Sequence, residues 1–312
     1  MTKKLLAVLL AGALILVGFA ACGKKQKGNS DNSNYIEDDN MVVDNVLVES
    51  RDAAGNFQKD ASGKQIYDRF SFENLDDETV EITAYLPQII GNKHVVNAKT
   101  VISYIRCYTP HTVVIPETLA GKRVVSIGES VFAGKTDLNS IVIPSSVTSI
   151  GAYAFAVCSE LAAVSVPSSV TSIGECAFYG CTKLATVTFA ATSELTTIPA
   201  SAFMNCTALT AVSIPAYIQT IEDSAFLGCS AMTTITVAEG VATIGAQAFG
   251  GLTALTTVTL PASVTTMGKL NFHGCEALTG AGVTAPAGSV AKQYMDRVVA
   301  GDVPTEPVTT AP

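Results

Sequence analysis

Cys158, Cys181, Cys206, Cys229 and Cys275 fall on one repeating position, with Lys135 and Leu252 in the same place in two further copies. If successive copies lie one strand spacing apart, about 4.8 Å, neighbouring sulfurs are within disulfide range. Leu252 shows that an apolar side chain fits the position, which favours free thiols packed as small hydrophobes. A metal site needs clustered pairs such as C-x-x-C, and Cys176 with Cys181 is the nearest approach, so no metal or other cofactor is expected. Glu129, Glu175 and Asp223 share another position, but Ala152 and Ala200 occupy the copies between them. The acids are therefore about 9.6 Å apart, too far for a retaining glycosidase pair and marginal for an inverting one.

Gly128 to Thr136 ends in the Gly-Lys-Thr of a phosphate-binding loop, with one residue too many between its glycines. Phe132, inside it, is an anchor of the repeat and is expected to point inward. Asp52 to Asn56 and Asp60 to Lys64 offer too few oxygens for calcium and read as hairpin turns. His94, His111 and His273 stand apart, and no serine or cysteine has a visible base, so nucleophilic catalysis has no support. The remaining candidate is a column of hydroxyls, Ser165, Thr188, Ser213, Thr236 and Thr259, headed by Val142. On a flat outward face it offers hydrogen bonds to an extended partner, although threonine is also an ordinary strand surface residue. Tyr153, Tyr179 and Tyr217 fall in different columns and tryptophan is absent, so there is no aromatic platform for sugars.

The elements that place these columns come from a repeat. PSSVTSIGAYAF at Pro144–Phe155 returns as PSSVTSIGECAF at Pro167–Phe178, and the phenylalanine recurs at Phe132, Phe155, Phe178, Phe203, Phe226, Phe249 and Phe272. A period in the twenties is the signature of a solenoid whose units bury their apolar sides against one another, because one unit alone cannot offset the entropy of ordering itself. The phrase L-x-x-V-x-I alternates like a strand, and the following proline ends it. S-V-T-S-I-G predicts a second short extended piece, and A-F-x-x-C-x-x-L a single helical turn. From Ala190 to Thr197 the usual proline is missing and two extra residues are expected to bulge.

The ends carry different signals. Met1 to Ala21 has Lys3 and Lys4, an apolar run over Leu5–Val17 and small residues before Cys22, the build of an export signal. It is too short for a confident membrane span. Phe19-Ala20-Ala21-Cys22 resembles the lipobox of bacterial lipoproteins, with Phe19 where leucine is more usual. That resemblance implies that Cys22 becomes a lipidated first residue; an ordinary cleaved signal and an uncleaved anchor are the alternatives. Residues 23–40 have almost nothing apolar and read as a flexible tether with a reach of about 23 Å. A net charge of −8 with 15% charged residues argues against a nucleic-acid partner.

The unit I-G-x-x-A-F-x-x-C-x-x-L-x-x-V-x-I-P resembles that of the BspA-like leucine-rich repeat family of bacterial surface proteins, over roughly Val113 to Thr279. The resemblance implies a β-rich solenoid, a right-handed coil of about seven 23-residue units with parallel strands and short helical turns. The organisation expected is a lipoprotein signal and anchor at 1–22, the tether, an N-terminal β-rich capping region at 41–110 and the solenoid at 111–284. A capping segment at 285–300 and a disordered Pro/Thr-rich tail at 301–312 follow. Thr79 to Tyr85 with His111 to Ile127 look like the entry to the array, with Asn92 to Cys107 inserted. At the exit, Ser289 can cap a helix carrying Val290, Tyr294 and Val298 on one face. The resemblance further implies a non-enzymatic surface module that binds a protein or another cell and reaches the membrane through its N-terminal lipid. A glycan-active enzyme and a passive spacer are the alternatives.

Overall fold

The computed structural model describes residues 44–49, 66–75, 78–90, 111–119 and 121–309. Cys22, the tether, His94, the turns at Asp52 and Asp60 and the insertion from Asn92 to Cys107 lie outside them. The array opens with antiparallel strands Asp44–Glu49, Ile66–Asn74 and Thr79–Ile90. The last of these pairs in parallel with Lys122–Ile127, which starts the coils.

Each coil contributes a strand of three to five residues and a two-residue strand, and each kind stacks on its counterpart from the next coil. In Ala163–Val166 alternate residues are exposed and buried, as the two-residue period requires. Both ladders stop at the same place. Thr186–Phe189 and Ala211–Ile214 belong to separate sheets, as do Ser172–Ile173 and Thr197–Ile198. The unit between them is 25 rather than 23 residues long, and Tyr217 secures the bulge by donating to the Ala190 carbonyl at 2.8 Å.

The arc joining short strand to long strand crosses that break. Cys176, Phe178 and Gly180 donate their N–H groups to Ala200, Ala202 and Met204 in the following coil, at 3.0, 2.8 and 2.8 Å. Equivalent bonds run from Ser130, Phe132 and Gly134 to Ala152, Ala154 and Ala156. Within A-F-x-x-C-x-x-L, Cys158 N–H donates to Phe155 and Leu161 N–H to Cys158 at 3.3 and 3.1 Å, the single turns expected, while alternate amides before them bond the next coil instead of extending a helix. Two residues per coil, and three in the last, take the left-handed conformation, for example Cys176 at φ 57° and Gly180 at φ 69°, which aims alternate amides along the stack. The glycine after the short strand is set by close approach: a Cβ on Gly174 would lie 2.3 Å from the Ala152 nitrogen.

Inside the arcs the seven anchor phenylalanines are buried. Their rings stack from Phe132 to Phe272 with centroids 5.0 to 5.6 Å apart, within the favourable range for offset pairs. Beside them the cysteines of the repeating column are free and buried. Each thiol donates to a phenylalanine carbonyl of the preceding coil, as Cys158 does to Phe132 at 3.0 Å and Cys229 to Phe203 at 3.2 Å. Burial pushes Cys181 and Cys229 up to about 12 and Cys275 up to about 11.

Three devices close the last coil. Asn271 is fully buried where other coils have alanine or valine; its side chain accepts from Phe249 N–H and donates to the Gly245 and Gly268 carbonyls. The helix Val290–Val299, capped by Ser289 accepting from Lys292 N–H, brings Tyr294 Oη within 2.9 Å of the Asn271 amide. The third device corrects an expectation. Residues 301–309 are not a disordered tail, for Pro304 accepts from Leu270 N–H and Val308–Thr309 pairs antiparallel with Thr266–Met267. Its composition offers little core, but the final coil presents unpaired amides and carbonyls that this segment satisfies.

Three outcomes are expected. Phe203→Ala, which removes a ring stacked on both sides, should destabilise the fold by about 3 to 5 kcal/mol, measured by denaturant unfolding. The column thiols should resist alkylation while folded and react fully in denaturant without reductant; labels gained only after reduction would contradict the thiol assignment. Because folding raises these thiol pKa values, the unfolded chain ionises first. Stability should hold below pH ~8.5 and fall between there and pH ~12, with a shallower fall in Cys229→Ala.

Candidate functional site

The hydroxyl column lies on the strands' outward positions. Ser165 and Thr188 are in parallel register, and Ser213, Thr236, Thr259 and Thr284 form a second run. The sheet break separates the two runs between Thr188 and Ser213. A second outward column carries Thr186, Thr234 and Thr257, which single-column reading of the sequence did not single out. Thr186-Val187-Thr188, Thr234-Ile235-Thr236 and Thr257-Val258-Thr259 thus present two hydroxyls per coil.

Some hydroxyls elsewhere on the surface hold coils together. Thr148 and Thr171 donate to the carbonyls of Val125 and Thr148 at 3.1 and 3.2 Å, and Thr233 and Thr256 to those of Thr210 and Thr233 at 3.2 Å each. Ser165, Thr188, Ser213, Thr236 and Thr259 make no comparable side-chain bond among the described residues. Their donors and acceptors point outward from a hydrogen-bonded sheet, so a partner meets them without first breaking internal bonds.

The other candidates have structural work. Phe132, inside the Gly-Lys-Thr segment, is buried against Tyr85 and Phe155, and burial lowers the Lys135 pKa; a phosphate cradle does not form. Asp223 accepts from Ala246 N–H, and Glu222 from Ala200 N–H at 2.9 Å. These acids terminate amides of neighbouring coils instead of facing each other. His273 is exposed, and no three His, Cys, Asp or Glu residues are grouped to hold a metal among the described residues. Nor is any helix there long and apolar enough to cross a membrane. A shallow hollow of about 520 Å³ beside the bulge, lined by Thr148, Ser169, Thr171, Ser193 and Glu194 among others, was not foreseen. The bulge raises one of its walls, and nothing in the repeat signals it.

The model of the BspA type leucine rich repeat region matches in six copies, over residues 125–236 and 196–284. No curated protein matches the chain. Among solved structures it is similar to the T. pallidum leucine-rich repeat protein, at 23% identity over 74% of this chain and 92% of that one, with a TM-score of 0.42. A leucine-rich repeat protein of Eubacterium ventriosum is 28% identical over 52% of this chain and 46% of its own, with a TM-score of 0.45. A leucine rich cell surface protein of Faecalibacterium prausnitzii is 19% identical over 76% of this chain and 96% of that one, with a TM-score of 0.27. With more than half its length matched by the repeat model, and with that repeat visible as one stacked coil per copy, the chain belongs to the BspA-type leucine-rich repeat family.

Proposed function

We propose that this chain is a non-enzymatic binding protein, exported and held at the membrane by a lipid on Cys22. In this reading it captures a protein or cell-surface ligand along the outward face of its strands. The observation that carries it is the hydroxyl column Ser165, Thr188, Ser213, Thr236 and Thr259, which with its neighbouring outward column stays uncommitted while Thr148, Thr171, Thr233 and Thr256 bond coil to coil. A polypeptide segment in extended form suits such a face, because repeated hydroxyls at fixed spacing can meet successive backbone groups. Family membership and the leader-like N-terminus support display outside the cell. The broken column divides the contact into a short run and a longer one, and the longer run from Ser213 to Thr284 is the stronger candidate for the main contact.

The purified full chain, screened against matrix proteins, bacterial cells and glycans, should bind a protein or cell target. Thr236→Glu and Thr259→Glu should each weaken that binding about tenfold or more with the melting temperature unchanged; binding indifferent to both would count against the strand face. Cys22→Ser should abolish lipid labelling and release the chain from the membrane fraction, whereas unchanged labelling and retention would remove the anchor from this account.

A further inference from the structure

The arcs carry a surface feature that the strand-face reading leaves unused. One residue past each anchor phenylalanine stand Ala133, Ala156, Tyr179, Met204, Leu227, Gly250 and His273. The three large apolar members occupy consecutive coils and are only half-buried. Coil-to-coil bonds align them: Val157, Gly180 and Asn205 donate to the carbonyls of Tyr179, Met204 and Leu227 at 2.6, 2.8 and 2.8 Å. Val157 extends the stripe at one end and is 42% exposed. The stripe is bounded by the small Ala156 before it and by Gly250 after it, where the Leu227 side chain rests.

Val157 is also strained. It holds φ 60° at a position filled in the other six coils by glycine or asparagine. A β-branched residue in the left-handed region is a genuine outlier, and here it exposes its side chain rather than packing it. Strain of that kind concentrates at functional surfaces.

Carboxylates stand on one flank in two of the three stripe coils: Glu175 precedes the arc of Tyr179, and Glu222 and Asp223 precede that of Leu227, where they also accept from the Ala200 and Ala246 N–H groups. The opposite flank offers no compensating excess, for Lys183 is paired with Glu160 at 2.7 Å.

We propose that this arc face docks an amphipathic α-helix of a partner protein, cationic along one flank, lying along the stacking direction. The spacing selects a helix: one turn rises 5.4 Å against a coil step of about 4.8 Å, so one apolar residue per turn meets each coil. Same-face residues of a strand repeat every ~6.7 Å and lose register within two coils. From Val157 to Leu227 is three coil steps, about 14 Å, which about ten helical residues cover. Apolar anchors at i, i+3 or i+4, and i+7 would seat on Tyr179, Met204 and Leu227, and lysine or arginine on the flank would face the carboxylates. The same carboxylates repel an anionic bilayer, which favours a protein helix over a lipid surface.

The test titrates the purified full chain with a fluorescent synthetic helix of about four turns, bearing leucine along one face and lysine along the adjoining flank. A scrambled peptide of equal composition, a glutamate-for-lysine version, and phosphatidylcholine and phosphatidylglycerol vesicles serve as comparisons. Saturable binding of the cationic helix alone is expected. Met204→Asp and Tyr179→Ser should each weaken it about tenfold, Glu175→Gln with Asp223→Asn should flatten its salt dependence, and Thr236→Glu should leave it unchanged. The proposal fails if the helix does not bind, if the scrambled peptide or the vesicles bind equally well, or if both stripe variants bind normally while melting like the parent. Because Thr236→Glu addresses the strand face alone, failure of either face is distinguishable from failure of the other.

Discussion

The rest of the structure depends on the amide ladder through the arcs. Both strand ladders stop at the 25-residue unit, yet the bonds from Cys176, Phe178 and Gly180 to the next coil continue across it, and Phe178 and Phe203 stack at 5.3 Å with an interplanar angle of 2°. Two left-handed residues per coil make this possible by turning alternate N–H groups along the stack. Without them the two sets of coils would meet only through side chains.

That ladder imposes a division of labour on each coil. Positions facing inward admit little variation where a ring must stack on rings, and more where the thiol sits, since Lys135 and Leu252 replace it in two coils. Where the stack ends, Asn271 Oδ1 accepts from Phe249 N–H, the bond that the backbone carbonyl at this position makes in the other coils. Outward positions bear no such constraint, and the two proposed surfaces use this freedom differently: repeated hydroxyls on the strands, and a bounded apolar stripe beside carboxylates on the arcs. They differ in regularity as well as chemistry. The hydroxyls recur coil after coil, whereas the stripe occupies consecutive coils only and is flanked by alanine and glycine.

The inward half of this arrangement was readable in the sequence, because the phenylalanine column answers one steric requirement that recurs in all seven coils, and the glycine and cysteine columns answer theirs in five, with Pro199 and Glu222, and Lys135 and Leu252, in the others. The strand alternation was readable for the same reason. The left-handed arc was not. Tyr153, Cys176, Ser201 and Gln247 give no sign of positive φ, since the conformation is imposed by bonds to the neighbouring coil and not by residue preference. The ordered tail escaped likewise, because Val308 and Thr309 gain their partners from Met267 and Thr266 rather than from each other. The hydroxyl column could be aligned from spacing alone, but its interruption could not, as two extra residues reveal a bulge without saying which ladder breaks. Val157 and Tyr179 occupy different columns, and only the coil-to-coil register brings them side by side.

Native-state hydrogen exchange at the amides of Cys176, Phe178 and Gly180 tests most directly whether the arcs make the coils one body. These amides are predicted to exchange as slowly as those of Phe155 and Phe226, which lie within unbroken ladders, and to open only in global unfolding. Fast exchange at the three amides, with protected coils on either side opening independently, would contradict the account.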